Sequence, residues 1–286
     1  MKVSSPRQLK DWINKIAKEK QVTANHLLQN YMMERLLERI TVSNYRDNLI
    51  LKGGFLISSM IGTEMRSTMD MDTTVKGIKV NRDEIEKMFI EILAIDLDDN
   101  LKFQMVDIKN IRDVNDYDDF RISIEAQFFS IKVTMKIDIT TGDQIIPSEI
   151  TYSFKMMFED RHISVKAYNL ITILAEKIES VLARNVANTR ARDYYDIYIL
   201  HNLRHEEIDF VDLRNAIIKK ADERNTLKYV EKWNLYLNQI EESKYLDDIW
   251  IAYSNKFKYA KGISFQDITK ILRKILQTEA EVSDPL

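Results

Sequence analysis

The hydrophobic pattern of this chain changes its period once, and that change constrains the fold more than any other feature. Before Pro147, short apolar runs with the alternation typical of β-strands lie between helical segments. From Ala167 onward, apolar residues recur at helical spacing almost throughout. We therefore expect an α+β protein, with a mixed-sheet domain over residues 1–160 followed by an α-helical domain over residues 161–286.

The predicted elements follow from this periodicity. In the first half we expect helices over residues 5–18, 24–41, 55–61 and 82–93, and strands over residues 48–51, 69–75, 103–111, 120–129, 131–139 and 150–158. In the second half we expect helices over residues 167–184, 192–203, 209–220, 226–241, 245–256 and 264–276. With 6 glycines and 3 prolines, no flexible linker is visible, so the two halves should be tightly joined.

Composition excludes several classes of site. The absence of cysteine removes disulfides, thiolate zinc sites and a cysteine nucleophile. No run of about 18 apolar residues occurs, and residues 1–20 lack the apolar segment of a signal peptide, so we expect a cytoplasmic protein without a membrane anchor. Residues 83–119 carry 12 acidic and 4 basic side chains, whereas residues 255–275 carry 1 acidic and 6 basic. A polyanion would prefer the second region.

Three aspartates stand at positions that suit a shared cation. Asp70 and Asp72 are two residues apart in a predicted strand, so both side chains project from the same face. Asp138 lies inside another predicted strand and could supply a third ligand. Hard oxygen ligands of this kind suit Mg²⁺, which keeps water and takes substrate phosphates as its other ligands. The sequence therefore predicts a magnesium site at these three aspartates.

Fifteen residues separate a glycine pair from Asp70. Gly53 and Gly54 follow Lys52 at the end of a predicted strand and open a predicted helix. Without side chains they let backbone N–H groups approach a triphosphate, and the start of the helix adds a favourable dipole. A Gly-Gly pair or an Asp-x-Asp pair alone is more often a turn or a solvated strand end. In this order, however, the two pairs favour a phosphoryl-transfer site.

A second charged group lies in the helical half, where Lys177 precedes Asp193 and Asp196. The two aspartates are one helical turn apart and share a face. A lysine that reaches a triphosphate would neutralise charge on the departing pyrophosphate, and a neighbouring aspartate could orient that lysine or contact the nucleotide. Without the first group, ordinary ion pairs on an exposed helix would explain this pattern better.

Five short motifs in this order resemble the AbiEii/AbiGii family of abortive-infection toxins. They are the strand that ends in Lys-Gly-Gly, the Arg-Ser-Thr-Met-Asp-Met-Asp of residues 66–72, Asp138, the Ala-Glu-Lys of residues 175–177 and the Arg-x-Arg-Asp-x-x-Asp of residues 190–196. The resemblance spans roughly residues 49–200. That family belongs to the polymerase-β-like nucleotidyltransferase superfamily, and its members are toxins paired, in type IV toxin–antitoxin systems, with a winged-helix, DNA-binding antitoxin of the AbiEi type.

The resemblance implies a role for each matched residue. Asp70 and Asp72 would bind catalytic Mg²⁺, and Asp138 would be the third carboxylate, which helps to activate the acceptor hydroxyl. Lys177 would hold the triphosphate, and Asp193 would be the essential acid of the last motif. The nucleotide-binding set implied by the motifs comprises Lys52, Gly53, Gly54, Arg66, Ser67, Lys177, Arg192 and Asp196.

The implied reaction is transfer of a nucleoside monophosphate from a nucleoside triphosphate to RNA, with the 3′ end of tRNA as the leading acceptor and arrested growth or blocked phage propagation as the outcome. The site would lie in a cleft between the two halves. One departure concerns the superfamily's Gly-Ser, which is Gly53-Gly54 here, so a serine contact to phosphate is missing. Ser58, Ser67 or Thr68 could replace it.

Two other functions stay open. A small-molecule nucleotidyltransferase that modifies antibiotics would share the aspartates, and the acid-rich residues 83–119 would suit a cationic drug. A nucleotide-binding module without turnover would keep the fold, although the five intact site residues argue against it. Of the remaining candidates, His201 and His205 lack further zinc ligands, so we interpret them as surface histidines.

Two basic segments are candidates for an RNA-binding surface. Residues 255–275 interleave Phe257, Tyr259 and Phe265 with lysines, a combination that can contact phosphates and stack bases. The N-terminal helix is also basic. For both segments, a solvated helix with one face packed on the core is the alternative interpretation.

Overall fold

The computed structural model of this chain describes residues 3–78, 80–112 and 119–281. The chain divides into two compact units, which are Met1–Asp143 with Glu149–Tyr168 (unit 1) and Gln144–Ser148 with Asn169–Leu286 (unit 2). Unit 1 contains a mixed sheet with helices, and unit 2 is helical. The predicted α+β class is therefore confirmed.

Unit 1 is built on a seven-stranded sheet, counted over the residues that the structure describes, with the strand order β3-β4-β5-β2-β1-β7-β6. The pairs β2–β5 and β1–β7 are parallel, and the remaining neighbours are antiparallel. The strands are β1 (Leu49–Lys52), β2 (Asp70–Val75), β3 (Leu101–Arg112), β4 (Asp119–Phe128), β5 (Ile131–Thr141), β6 (Ile150–Lys155) and β7 (His162–Ala167).

The central strands show clear two-sided patterning. On β4 and β5, alternate residues such as Ile122, Ile124, Ile137 and Ile139 are fully buried, whereas the residues between them are polar and at least partly exposed. Successive strand residues point to opposite faces, so the sheet has one apolar core face and one polar face. The site described below lies on the polar face.

The helices of unit 1 are α1 (Pro6–Lys20), α2 (Ala24–Val42), α3 (Gly53–Ile61) and α4 (Arg82–Leu93). Side-chain caps begin three of them, since Ser5, Thr23 and Asn81 each accept a backbone N–H from the first turn. Helix α2 is buried on almost every side. Its Arg39 is fully buried and donates to both carboxylate oxygens of Asp99, at 3.0 and 2.8 Å, so the charge of the arginine is neutralised inside the unit.

Unit 2 consists of helices joined by short turns. They are α5 (Leu170–Arg184), α6 (Ala191–Arg204), α7 (Phe210–Glu223), α8 (Leu227–Glu231), α9 (Trp233–Glu241), α10 (Lys244–Lys256) and α11 (Phe265–Glu281). Helix α5 packs on α6 and α7 through apolar residues that are completely buried, including Leu174, Ile178, Val181 and Leu182. None of the described helices is both long enough and apolar enough to cross a membrane.

Two local features differ from the expectations. No strand is predicted over residues 162–166, but β7 alternates between exposed and buried positions and pairs with both β6 and β1. The three buried residues of β7 are followed closely by the apolar residues of α5, so the alternation of the strand is not separated from the helical pattern in the sequence. The single helix expected over residues 226–241 is two helices that meet at Lys232, where no glycine or proline marks the break.

Candidate active site

The turn between β1 and α3 requires glycine at both of its positions. Gly53 has a positive φ of 68°, and a Cβ atom there would lie 1.9 Å from Oδ2 of Asp72. A Cβ on Gly54 would lie 2.7 Å from Oγ1 of Thr68 and 2.9 Å from a guanidinium nitrogen of Arg66. The departure from Gly-Ser therefore has a physical reason, because Thr68 and Arg66 fill the space that a serine side chain would need.

The β1–α3 turn brings a helix N-terminus against a carboxylate. The backbone N–H of Gly54, in the first turn of α3, donates to Oδ2 of Asp72 at 3.3 Å. Helix N-termini carry unpaired N–H groups and a positive dipole end, which favour anions. The first turn of α3 can therefore accept phosphate oxygens beside Asp72.

Four charged residues form one row across the polar face of the sheet. Lys52 on β1 is in register with Asp72 on β2, Asp72 with Asp138 on β5, and Asp138 with Arg121 on β4. Residues in register on adjacent strands share a face and are about 5 Å apart, so the row spans roughly 14 Å. Its charges run positive, negative, negative, positive, and Asp70 adds an exposed carboxylate two residues before Asp72.

The carboxyl group of Asp72 lies in a perturbed environment. Burial raises the pKa of its carboxyl, Lys52 opposes that shift, and the negative charges of Asp138 and Asp70 add to it. Carboxylates so close together repel one another, and a cation between them would relieve that repulsion. The predicted proximity of Asp72 and Asp138 is thus present in unit 1.

Asp138 is held by a residue that the sequence analysis missed. Arg121 donates from Nε to Oδ1 and from Nη2 to Oδ2 of Asp138, both at 2.7 Å, in a bidentate ion pair. The arginine side chain is 40% exposed, so solvent reaches the pair from one side. No short motif marks Arg121, because its role depends on the pairing of β4 with β5.

Lys52 is fixed by a second missed residue, Asp143. Its ammonium group donates to Asp143 and, at 2.6 Å, to Oγ1 of Thr140, and it lies 5.5 Å from the ring centre of Tyr168. Thr140 and Tyr168 also donate to the same oxygen of Asp143, at 2.6 and 3.0 Å. This network positions a largely buried cation beside Asp72, at the end of the charged row.

The segment between α3 and β2 contains the hydroxyls considered as substitutes for the missing serine. Ser58 is buried and donates to the carbonyl of Arg66 at 2.8 Å, and Thr68 is buried and donates to the carbonyl of Asp70 at 3.3 Å. Ser67 is half-exposed, while Arg66 is buried and donates to the Ser67 carbonyl at 2.7 Å. Among the three hydroxyls, Ser67 alone keeps an accessible side chain, and its contact with phosphate stays a prediction.

In unit 2, the predicted lysine is clamped by the predicted acids. Nζ of Lys177 on α5 lies 2.7 Å from Oδ1 of Asp193 and 2.9 Å from Oδ2 of Asp196, both on α6. Asp196 is fully buried, whereas Lys177 and Asp193 keep 17% and 13% of their side-chain surface exposed. Asp196 thus orients the lysine from the buried side. A direct contact between Asp196 and a nucleotide stays a prediction.

Further arginines surround this clamp. Burial lowers the pKa of Arg184, and the positive charge of Arg190 lowers it further, while Asp193 opposes both effects. Arg190 and Arg192 are exposed at the start of α6. The positive charge of Arg190 thus acts on Arg184, and Asp193 of the clamp lies near enough to act on it as well.

Three other expectations have structural outcomes. His201 is 6% exposed, so its interpretation as a surface histidine was wrong, whereas His205 is exposed. In the acid-rich segment, Asp99 already binds Arg39 and Asp107 binds Lys109. Its residues 113–118 lie outside the described part of the chain, as does Lys2 of the basic N-terminal segment.

The donor set of unit 1 fits a hard divalent cation in part. Asp70 and Asp72 present oxygens on one face of β2, and the pKa of Asp72 is raised first by burial and then by the negative charges of Asp138 and Asp70, which a cation would offset. Asp138 could join them, but both of its oxygens already accept hydrogen bonds from Arg121, which partly neutralises its charge. Consistent with this, no three acidic or imidazole side chains among the described residues converge on a single point as a metal cage would require.

Comparisons with known proteins identify the family and the fold. The sequence model of one family, "Nucleotidyl transferase AbiEii toxin, Type IV TA system", matches residues 35–279, which is most of the chain. The crystal structure of JHP933 from Helicobacter pylori superposes with a TM-score of 0.51 at 14% identity, over 91% of this chain and 96% of that one. This similarity supports the fold.

Two further solved structures are less similar. A presumed nucleotidyltransferase from H. pylori has 15% identity and a TM-score of 0.49, over 92% of this chain and all of that one. An antigenic nucleotidyltransferase-like protein from Paracoccidioides brasiliensis has 14% identity and a TM-score of 0.43, over 70% of this chain and 90% of that one. No curated protein matches this chain in sequence.

Proposed function

Because this chain belongs to the AbiEii family of nucleotidyl transferase toxins, we propose that it transfers a nucleoside monophosphate from a nucleoside triphosphate to RNA, with the 3′ end of tRNA as the acceptor. The charged row on the sheet carries this proposal. It places two carboxylates between two cations, directly beside a helix N-terminus that can bind phosphate.

In the proposed reaction, unit 1 binds the reacting end of the nucleotide. The N–H groups at the start of α3 bind phosphate oxygens, and Lys52 contributes positive charge from the adjacent strand. Asp70 and Asp72 would hold Mg²⁺, with Asp138 as the third ligand. When bound, Mg²⁺ would stabilise the negative charge that develops on the phosphates during transfer. Asp138, once released from Arg121, can accept the proton of the acceptor hydroxyl.

Unit 2 would bind the departing pyrophosphate. Lys177 is already oriented by Asp193 and Asp196, so little conformational entropy is lost when it contacts phosphate. Arg184 and Arg190 add charge in the same neighbourhood. We propose that residues of both units act on one nucleotide.

We also propose that the activity is toxic and is silenced by an antitoxin, of the winged-helix AbiEi type, in a system that limits phage propagation. Membership of a type IV toxin–antitoxin family supports this proposal. A direct test is co-expression. Growth should stop when the toxin is induced alone, continue when a cognate antitoxin of the AbiEi type is co-induced, and continue with an Asp70→Asn toxin.

The biochemical test uses purified protein, Mg²⁺, each α-labelled nucleoside triphosphate in turn and total cellular RNA, followed by a denaturing gel. The proposal expects label in tRNA-sized bands with the unaltered protein and none with Asp70→Asn or Asp72→Asn. Lys132→Gln is the matched control, because this exposed lysine lies on the same face of β5, six residues from Asp138, and is paired with Glu125.

The outcome also separates the alternatives. Label on an aminoglycoside but not on RNA would replace the acceptor with a small molecule and refute the RNA proposal. Binding of nucleoside triphosphate without transfer to RNA or to a drug would identify a nucleotide-binding module. Growth arrest that persists in Asp70→Asn would show that toxicity does not depend on the transfer reaction.

A further inference from the structure

The basic C-terminal segment forms a distinct surface at the end of α10. We call Lys256, Phe257, Lys258, Tyr259 and Lys261 the basic aromatic turn. Helix α10 ends at Lys256, residues Lys258–Ala260 make a single 3₁₀ turn, and the chain then leaves through Gly262 at a φ of 87°. The peptide is thus folded tightly enough to present all five side chains from one short stretch.

Two aromatic rings of the turn form a supported platform. The rings of Phe257 and Tyr259 stack at 5.3 Å between centres with an interplanar angle of 24°, and both residues are half-exposed. Behind them, Tyr253 lies 4.7 Å from Phe257 and Tyr195 lies 4.9 Å from Tyr259. The rings are therefore held in place by the core of unit 2 while part of their surface faces solvent.

The charged residues of the turn itself are all positive. Lys256, Lys258 and Lys261 are exposed, and none of them pairs with a carboxylate among the described residues. No aspartate or glutamate occurs between Ser254 and Gln266. Lys256 lies over the Phe257 ring, with its ammonium group 5.5 Å from the ring centre, so it can turn from the ring to a phosphate when a base stacks there. The positions of the three lysines in the sequence bracket both rings.

We propose that the basic aromatic turn binds single-stranded RNA, with lysines on successive phosphates and an unstacked base on the exposed ring surface. Single strands offer bases that can stack on aromatic side chains, and the backbone charge is repeated at every nucleotide. An acidic peptide would satisfy the lysines but leave the ring surface without a partner, and in a regular duplex the base faces are already stacked. The platform therefore favours an RNA end or loop.

The turn is also connected to the proposed nucleotide site. Tyr195, on which Tyr259 packs, belongs to α6, the helix that carries Asp193 and Asp196. RNA held by the turn would thus be anchored to the same helix that orients Lys177. In this respect the inference rests on the proposed function, since it assigns a docking surface for the acceptor.

The test measures binding of a fluorescent eight-nucleotide single-stranded RNA by anisotropy, in the Asp70→Asn background, without metal or triphosphate, over a series of salt concentrations. One variant replaces the three lysines of the turn by glutamine, and a second is Phe257→Leu. The matched control is Lys228→Gln with Tyr229→Leu, another lysine 4.9 Å from an aromatic ring, at a site flanked by Glu231. Circular dichroism melts check that each variant is folded.

Loss of three phosphate contacts should reduce the slope of log K against log salt by about 2. Phe257→Leu should weaken RNA binding at least about fivefold and leave binding of heparin, a polyanion without bases, unchanged. The control variant should bind RNA as the parent does. Equal RNA affinity in all variants, or equal losses for RNA and heparin in Phe257→Leu, would overturn the inference.

Transfer assays separate this inference from the proposed function. If the turn variants bind RNA normally while the protein labels RNA, the turn is not the docking surface but the function stands. If the turn binds RNA and the protein labels none, the RNA surface stands and the proposed reaction fails. If both hold, the three-lysine variant in an otherwise unaltered protein should raise KM for RNA without changing KM for the triphosphate.

Discussion

Arg121 competes with any cation that binds Asp138, and replacing it should therefore strengthen metal binding. The arginine makes two charge-assisted hydrogen bonds of 2.7 Å to Asp138, which occupy one lone pair on each oxygen and partly neutralise the charge that would attract a divalent metal. Arg121→Gln removes this competitor and a positive charge from the end of the row. An incoming cation would then reach Asp138, Asp72 and Asp70 without competition from Arg121.

The size of the effect follows from the geometry. At about 4 Å, two unit charges interact by roughly 4 kcal/mol at an effective dielectric constant of 20 and by roughly 1 kcal/mol in water. Because Arg121 is 40% exposed, solvent screening leaves about 1–2 kcal/mol for the pair. Each 1.4 kcal/mol is tenfold in affinity, so Arg121→Gln should bind divalent metal roughly 5- to 30-fold more tightly.

The assay is a titration with Mn²⁺ in which free ion is followed by electron paramagnetic resonance, without nucleotide. Lys132→Gln removes the same charge from the same face of the sheet, about 20 Å from Asp138 along β5, and should change the affinity less than twofold. The gain in affinity from Arg121→Gln should disappear in the Asp138→Asn background, because Arg121 then has no carboxylate at position 138 for which it competes with the metal.

Two results would refute this reasoning. Unchanged or weaker Mn²⁺ binding in Arg121→Gln would mean that the pair does not compete with metal. An equal gain in the Asp138→Asn background would mean that Arg121 acts only through the general field of the site. Arg121→Lys, which keeps the charge but loses the bidentate geometry, should lie between the parent and Arg121→Gln.

Three further predictions address stability and catalysis. Burial raises the pKa of Glu34 to about 8, so the folded state holds a proton that the unfolded chain releases near 4.5, and the free energy of unfolding falls as pH rises through that window. In urea unfolding, Glu34→Gln should therefore raise the free energy of unfolding little at pH 5 and by up to roughly 5 kcal/mol at pH 8.5. An equal effect at both pH values would contradict this. Gly53→Ala should abolish nucleotidyl transfer and lower the melting temperature, because the added Cβ would clash with Asp72. The control is Gly262→Ala, at a φ of 87° with open space around it, which should cost only about 1 kcal/mol of backbone strain and leave activity unchanged. Equal melting temperatures for the two variants would argue against the clash at Gly53. Lys177→Gln should lower kcat/KM for nucleoside triphosphate by roughly 10- to 100-fold while Mn²⁺ binding stays unchanged, and a normal kcat/KM would exclude the lysine from the site.

The sequence alone determined the features that depend on local spacing. The change from alternating to helical periodicity predicted the α+β class and the helical second half. Asp70 and Asp72 project from one face because they are two residues apart in a strand, and Asp193 and Asp196 share a face because they are one turn apart in a helix. The order of these motifs was sufficient for the family resemblance, which the family match confirms. The roles of the individual site residues remain predictions.

Tertiary structure decided which of these groups meet. Asp72 and Asp138 are 66 positions apart, and they are neighbours because β2 lies between β1 and β5 and pairs with β5 in a single register. The same pairing brings Arg121 to Asp138, and the end of β5 brings Asp143 to Lys52. A strand's alternation shows which residues face the same side, but it carries no information on which strand will lie beside it. That choice is made by packing of the whole core, so the partners of the predicted carboxylates could not be read from the sequence.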